Sequence, residues 1–245
     1  MTVTKREERA VRGYGASTAA IPAVRWRDEE RGGVHALPVA AGIHLGTDRT
    51  GRPVSVPALG GAGTRIGVLG ESLFGRLFAL RLLAAGARVT ASTRVPDQWS
   101  GVRLAAGDRL EFADGEGTGG WPDRTPAPPT VESGPQALIS DRRRPPPAAS
   151  AAGPWRTVLH VTRAVPRHSR FWGGADAVLV LDAQFAPMAA RVLGEDAGRP
   201  AAALAPGEIA LFRPAAGTAE ILRPDVSPGE TALLTPGTPV VRRAG

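Results

Sequence analysis

The sequence predicts an α/β fold, a mixed and mainly parallel sheet built around a βαβ crossover with β-hairpins added to it. Three observations carry that reading. Residues 65–94 run strand, tight turn, helix, strand. Ala177-Val178-Leu179-Val180-Leu181 is a short uninterrupted apolar run, as in strands buried on both faces. Two further stretches, 40–57 and 208–223, each read as a pair of strands joined by a turn.

In the first of these units, Ile66-Gly67-Val68-Leu69 ends at Gly70, and the chain turns through Glu71-Ser72-Leu73-Phe74-Gly75 into a helix that Gly86 closes. Its side chains are apolar on nearly every side, with only Arg76 and Arg81 interrupting, so it is expected to be buried. Arg88-Val89-Thr90-Ala91-Ser92-Thr93 follows directly with β-branched residues, as a buried strand would have, and Pro96 stops it. The unit is Rossmann-like. A parallel, right-handed connection would place both strands in one sheet.

The chain then divides as follows. Residues 1–33 mix charges with Gly and Ala without a sustained period and are expected to be a flexible arm, with a short helix at Val3 to Val11 as an option. Residues 34–113 form the first half of the α/β domain: a hairpin with Val54 and Val56 on one face, the crossover, a short strand read from Trp99, Val102 and Leu104, and another over Arg109 to Phe112. Residues 114–154 carry Gly-Gly, Pro-Ala-Pro-Pro and Arg-Arg-Arg-Pro-Pro-Pro, broken by the modest apolar patch Ala137-Leu138-Ile139, and read as a disordered insertion. Residues 155–224 are the second half, with strands at 157–162 and 177–181. There Pro187 opens a helix that buries Met188, Ala189, Val192 and Leu193 and ends at Gly194, and a hairpin closes the domain. Residues 225–245 read as a loose tail.

Composition narrows the function. The chain has 31 Gly, 23 Pro and no Cys, which excludes disulfides and cysteine-held metal clusters. With no secretory leader and no run approaching the ~20 apolar residues of a membrane span, a cytoplasmic protein is expected. The net charge is +7, and Lys5 is the single lysine among 30 basic residues. Aromatics make up only 5%, and no basic helix accompanies the charge, so nucleic acid is an improbable partner.

The chemical candidates are few. Gly70-Glu71-Ser72-Leu73-Phe74-Gly75 resembles a dinucleotide turn, with Ser72 in place of the central glycine and Arg94 at the end of the second strand, where a cation would favour NADP. Against this stands a plain tight turn with close helix packing. A P-loop is excluded for want of its lysine, which leaves Asp182 as a turn or capping residue. Ser72 lacks the second glycine of a nucleophile elbow. His35, His44, His160 and His168 have no metal-type spacing, and structural imidazoles are expected at His44 and His160. No catalytic residue and no metal ligand is nominated. The basic zone Arg142-Arg143-Arg144, with Arg156, Arg163, Arg167 and Arg170, is either a solvated linker or a contact for anionic lipid.

The string Gly42-Ile43-His44-Leu45-Gly46-Thr47-Asp48, then Gly51-x-Pro53-Val54, the strand-Gly-helix unit from Arg65 to Gly86 and Trp99 resembles the cytosolic domain of the E component (EccE-like) of actinobacterial type VII, or ESX, secretion systems. Ala175 to Leu181, the helix ending Val192-Leu193-Gly194 and the closing hairpin are similar to that family's C-terminal stretch. The resemblance implies an α/β domain with a degenerate nucleotide-binding fold and no catalytic residues. It also implies partners among secretion-system proteins, an FtsK-like ATPase included, and a place at the inner face of the cell membrane. The family's two N-terminal membrane spans have no counterpart in this sequence. An interaction module without enzymatic activity and without a cofactor is therefore expected. The alternative is an NADP-binding oxidoreductase or regulator using Gly70, Ser72, Gly75 and Arg94.

Overall fold

Ten strands form one sheet in the computed structural model, which describes residues 42–113, 121, 125–128, 133–166 and 169–235. In chain order they are β1 (Gly42–Asp48), β2 (Pro53–Pro57), β3 (Thr64–Leu69), β4 (Arg88–Ser92), β5 (Leu110–Phe112), β6 (Gln136–Ser140), β7 (Arg156–Thr162), β8 (Ala177–Val180), β9 (Ile209–Arg213) and β10 (Thr218–Pro224). Across the sheet the order is β2-β1-β10-β9-β8-β3-β7-β6-β4-β5. From β8 to β5 every pairing is parallel, and from β8 to β2 every pairing is antiparallel. The expected mixed, mainly parallel sheet is thus present, and both hairpins lie at its antiparallel end.

Among the described residues there are also six α-helices: α1 (Ser72–Ala84), α2 (Ser100–Ala106), α3 (Arg170–Gly173), α4 (Ala186–Leu193), α5 (Glu195–Ala202) and α6 (Pro228–Leu234). They cover both faces of the parallel strands, which explains why those strands read as unbroken apolar runs rather than alternating ones. Along β8, Ala177 and Leu179 join one core while Val178 and Val180 join the other. The first core holds Phe74, Phe78 and Leu82 of α1 with Trp99, Val102 and Leu234. The second holds Phe171 and Trp172 with Ala189 and Ala201 of α4 and α5. No helix among the described residues is long and apolar enough to cross a membrane.

Two glycines set how closely the layers approach. A Cβ on Gly75 would stand 3.1 Å from Val161 Cγ2 and 3.3 Å from Ile139 Cγ2, so α1 rests almost directly on β6 and β7. A Cβ on Gly67 of β3 would fall 2.3 Å from the Trp172 ring, so that indole occupies the space a side chain would need.

Both strands of the β3–α1–β4 unit lie parallel in one sheet, as expected, and β7 and β6 stand between them. Several expectations are corrected. The strand expected from Trp99, Val102 and Leu104 is a 3-10 turn followed by α2; Trp99, Val102 and Ala106 are the buried positions, at helical spacing, while Leu104 is 86% exposed. Within 114–154, residues 136–140 are not disordered but form β6, every residue of it buried, and residues 148–151 make a 3-10 turn that buries Ala151. Pro/Gly-rich flanks masked a strand whose whole apolar signal is three residues long. In α4 the four residues expected to face inward do so, Ala189 fully buried and Met188, Val192 and Leu193 partly buried against the second core, but Gly194, at φ 102°, links it to α5, which no sequence signal announced. The tail expected at 225–245 begins with α6, held by a capping box in which Ser227 Oγ accepts from the Glu230 amide and the Glu230 carboxylate accepts from the Ser227 amide. The proposed arm at 1–33, residues 114–120 and 236–245 lie outside the described residues.

Arg81 fastens α6 to the body. Its guanidinium donates to Glu230 Oε1 at 2.7 Å, to the carbonyl oxygens of His44 at 2.7 Å and Leu45 at 3.2 Å, and to that of Asp225. The pair is largely enclosed, and burial works against the Glu230 carboxylate while Arg81 and the Ser227 amide hold its pKa below the usual range. Arg81→Ala is expected to cost about 2 kcal/mol, as for lost hydrogen bonds to charged groups. Hydrogen exchange checks it: protection should fall first across residues 228–234, ahead of the sheet.

Candidate functional site at the carboxyl edge of the parallel strands

Because β3, β4, β6, β7 and β8 are parallel, the residues following each emerge along one edge. β3 continues directly into α1 on the face of the first core, whereas β7 leads to α3 on the face of the second. Adjacent strands whose connections diverge in this way define the topological switch point, where open α/β sheets place their ligands. The turn there is short. Leu69 ends β3, Gly70 and Glu71 make the turn, and Ser72 opens α1.

The crevice is lined by groups that partner one another. Ser72 Oγ donates to Asp141 Oδ2 at 2.6 Å, and Thr93 Oγ1 donates to the same oxygen at 2.8 Å, joining the ends of β3, β6 and β4. Glu71, at the N-cap of α1 with no side-chain cap bond, pairs with Arg163 beyond β7 at 3.0 Å. The Gly70 amide donates to the Thr162 carbonyl at 3.0 Å, and a Cβ on Gly70 would meet Leu181 Cδ1 at 2.3 Å. Below the turn, the Arg76 side chain is buried; its Nη1 donates to the Gln98 carbonyl and its Nε has no partner. Burial lowers the Arg76 pKa, and the nearby Asp141 charge opposes that shift.

On the second face, Trp172 Nε1 donates to His160 Nδ1 at 3.0 Å, and His160 Nε2 donates to the Arg142 carbonyl at 2.9 Å. These two bonds fix the tautomer with the proton on Nε2. Burial pushes the imidazole pKa down to about 4, against the opposing pull of the Arg142 carbonyl and the Asp141 charge, so the ring is neutral at pH 7. It is a structural histidine. His44 lies in β1, where its Nε2 meets Asp225 Oδ2 at 2.9 Å on the protein surface.

Of the residues singled out from sequence, Gly70, Ser72 and Gly75 lie together at the β3–α1 turn, and Arg94 follows Thr93, whose hydroxyl shares Asp141 Oδ2 with that of Ser72. A dinucleotide fold sets its first two strands side by side. Here three inter-strand spacings, about 14 Å, separate β3 from β4. Arg94 is exposed beyond β4, and Asp182 caps the turn after β8 by accepting from the Gln184 amide. Arg156 stands at the start of β7, so the basic zone read from sequence is split between opposite ends of that strand. Sequence reading missed Asp141, the acceptor at the centre of the cluster, and the buried Arg76. A polar Ser-Asp pair directly after Ala137-Leu138-Ile139 was the available signal for the first. Among the described residues, no group of three or more His, Asp or Glu is placed to hold a metal ion.

Fold and site together define an α/β protein with a mainly parallel mixed sheet whose switch-point crevice is lined by mutually paired side chains. No family model and no curated protein matches the sequence. Among solved structures, it is similar to the genome packaging NTPase B204 from Sulfolobus turreted icosahedral virus 2 in complex with AMPPCP, at 11% identity and TM-score 0.47, covering 67% of this chain and 98% of that one. The same NTPase with ATP-gammaS gives 12% identity and TM-score 0.47 over 67% and 98%. The DNA-packaging ATPase B204 from Sulfolobus Turreted Icosahedral Virus gives 10% identity and TM-score 0.44 over 68% and 100%.

Proposed function

We propose that the chain is a non-catalytic interaction component of a type VII (ESX)-like protein secretion apparatus, acting at the cytoplasmic side beside an FtsK-like ATPase. The observation that carries the first half of this reading is the self-paired crevice. A phosphate at a helix N-terminus needs free amides and no competing negative charge. Here Glu71 is the N-cap residue, its carboxylate paired with Arg163 beside the turn, and Asp141 stands directly across from Ser72. The sequence resemblance to EccE-like domains carries the second half.

The rival reading, an NADP-binding oxidoreductase or regulator, needs Gly70, Ser72, Gly75 and Arg94 around one pyrophosphate. Thermal denaturation with NADPH, NADH and ATP separates the two. A ligand at 100 times its Kd adds roughly 2.7 kcal/mol, or roughly 5 to 10 °C in Tm for a domain of this size. No shift is expected with any of the three. A tagged chain is expected to recover an FtsK-like ATPase from membrane extracts of its native host, and its repeated absence would overturn the secretion reading.

A further inference from the structure

The strand order gathers arginines that the sequence keeps apart. β4, β6 and β7 are neighbours in register, with Ser92 beside Ser140 and Ser140 beside His160. Arg94 therefore emerges alongside Arg142, Arg143 and Arg144, and Arg163 beside them. The bonds of Ser72 and Thr93 to Asp141 hold these loops against the start of α1. Arg94, Arg143 and Arg144 are exposed and have no carboxylate partner among the described residues. Among the described residues, the acids at this edge are Glu71, already paired with Arg163; Asp141, already accepting two hydroxyls; and Asp97. Asp182 lies two strands beyond β7.

Apolar side chains stand among these charges. Five large apolar residues are exposed among the described residues, and three of them are here: Leu73 at 48%, Val95 at 39% and Val165 at 38%. All three are aliphatic, and no described aromatic residue is exposed. Bases need aromatic faces to stack on, whereas an anionic lipid surface takes guanidinium groups at its phosphates and aliphatic side chains at the acyl boundary.

We propose that the carboxyl edge of β4, β6 and β7 docks on an anionic lipid surface, with Arg94, Arg143 and Arg144 at the headgroups and Leu73, Val95 and Val165 entering the interface. This goes beyond the secretion reading and does not depend on it, since the purified full chain needs no partner to bind lipid. Failure here would leave the search for an ATPase partner untouched.

Flotation with vesicles tests it. The full chain is expected to float with phosphatidylcholine vesicles containing phosphatidylglycerol, to stay behind with pure phosphatidylcholine, and to be released as salt rises. The variant R94E/R143E/R144E should lose more than a hundredfold in partition, since removing three basic residues alone costs about that much and the new carboxylates are repelled. R191E/R199E/R223E, which makes the same change in net charge at exposed arginines on α4, α5 and β10, should keep it. L73S/V95S/V165S should release at lower salt than the unaltered chain. Circular dichroism checks that each variant is folded. Equal flotation of the two charge-reversal variants, no flotation of the unaltered chain, or binding to an oligonucleotide without binding to vesicles would overturn the inference.

Discussion

Trp172→Ala is expected to lower the free energy of unfolding by about 4 kcal/mol, within the range for emptying a buried aromatic site. The indole fills the hollow that Gly67 leaves in β3, packs edge-on to His160 and Phe171, and supplies the donor for His160 Nδ1. Its removal leaves a cavity in the second core and an acceptor without its donor. Gly67→Ala probes the same contact from the other side, and its Cβ would overlap the ring at a cost of about 1–3 kcal/mol. The two changes should not add: with the indole gone, the new methyl group partly fills the vacated space. Urea denaturation of the single and double variants measures that coupling, and strict additivity would contradict the described packing.

The second large effect follows from His160. Its ordinary pKa is 6.5 and its folded value about 4, so between those values the unfolded chain takes up a proton that the folded chain refuses. Stability from this group is complete above pH 6.5, falls as pH drops from 6.5 towards 4, and then levels off, with a total of about 3 kcal/mol. Carboxylates held below their usual range, such as Glu230, lose their contribution below about pH 4.5, which leaves the upper part of the window to the imidazole. His160→Gln can keep a donor for the Arg142 carbonyl and an acceptor for Trp172 without titrating. Urea midpoints between pH 7 and pH 5 should therefore fall in the unaltered protein and stay nearly flat in the variant.

The strands most legible in the sequence were those whose apolar signal is long or whose neighbours are local. Ile66 to Leu69, Ala177 to Leu181 and the closing hairpin all announced themselves, and α1 could be read as buried because Leu, Phe and Ala surround it. β6 could not be read in the same way, because Ala137-Leu138-Ile139 gains its meaning only from β4 and β7, which pair with it from 48 and 20 residues away. α2 was missed because Val102 and Leu104 mimic a two-residue period, while its true pattern runs through Trp99 and Ala106. The candidate site was legible only at its β3–α1 turn. Ser72, Thr93 and Asp141 are separated in sequence and converge solely through strand order, which no local pattern encodes.

The interposition of β6 and β7 between β3 and β4 also bears on how the chain matures during synthesis. β3 and β4 share no hydrogen bonds with each other, so the segment that carries them cannot close a sheet as it leaves the ribosome. β3 has no sheet partner until β7 and β8 have been made, and β4, paired with β5 on one side, waits for β6 on the other. The two apparent halves are therefore one cooperative unit, and a fragment ending near residue 113 would be a substrate for chaperones and proteases, not a domain.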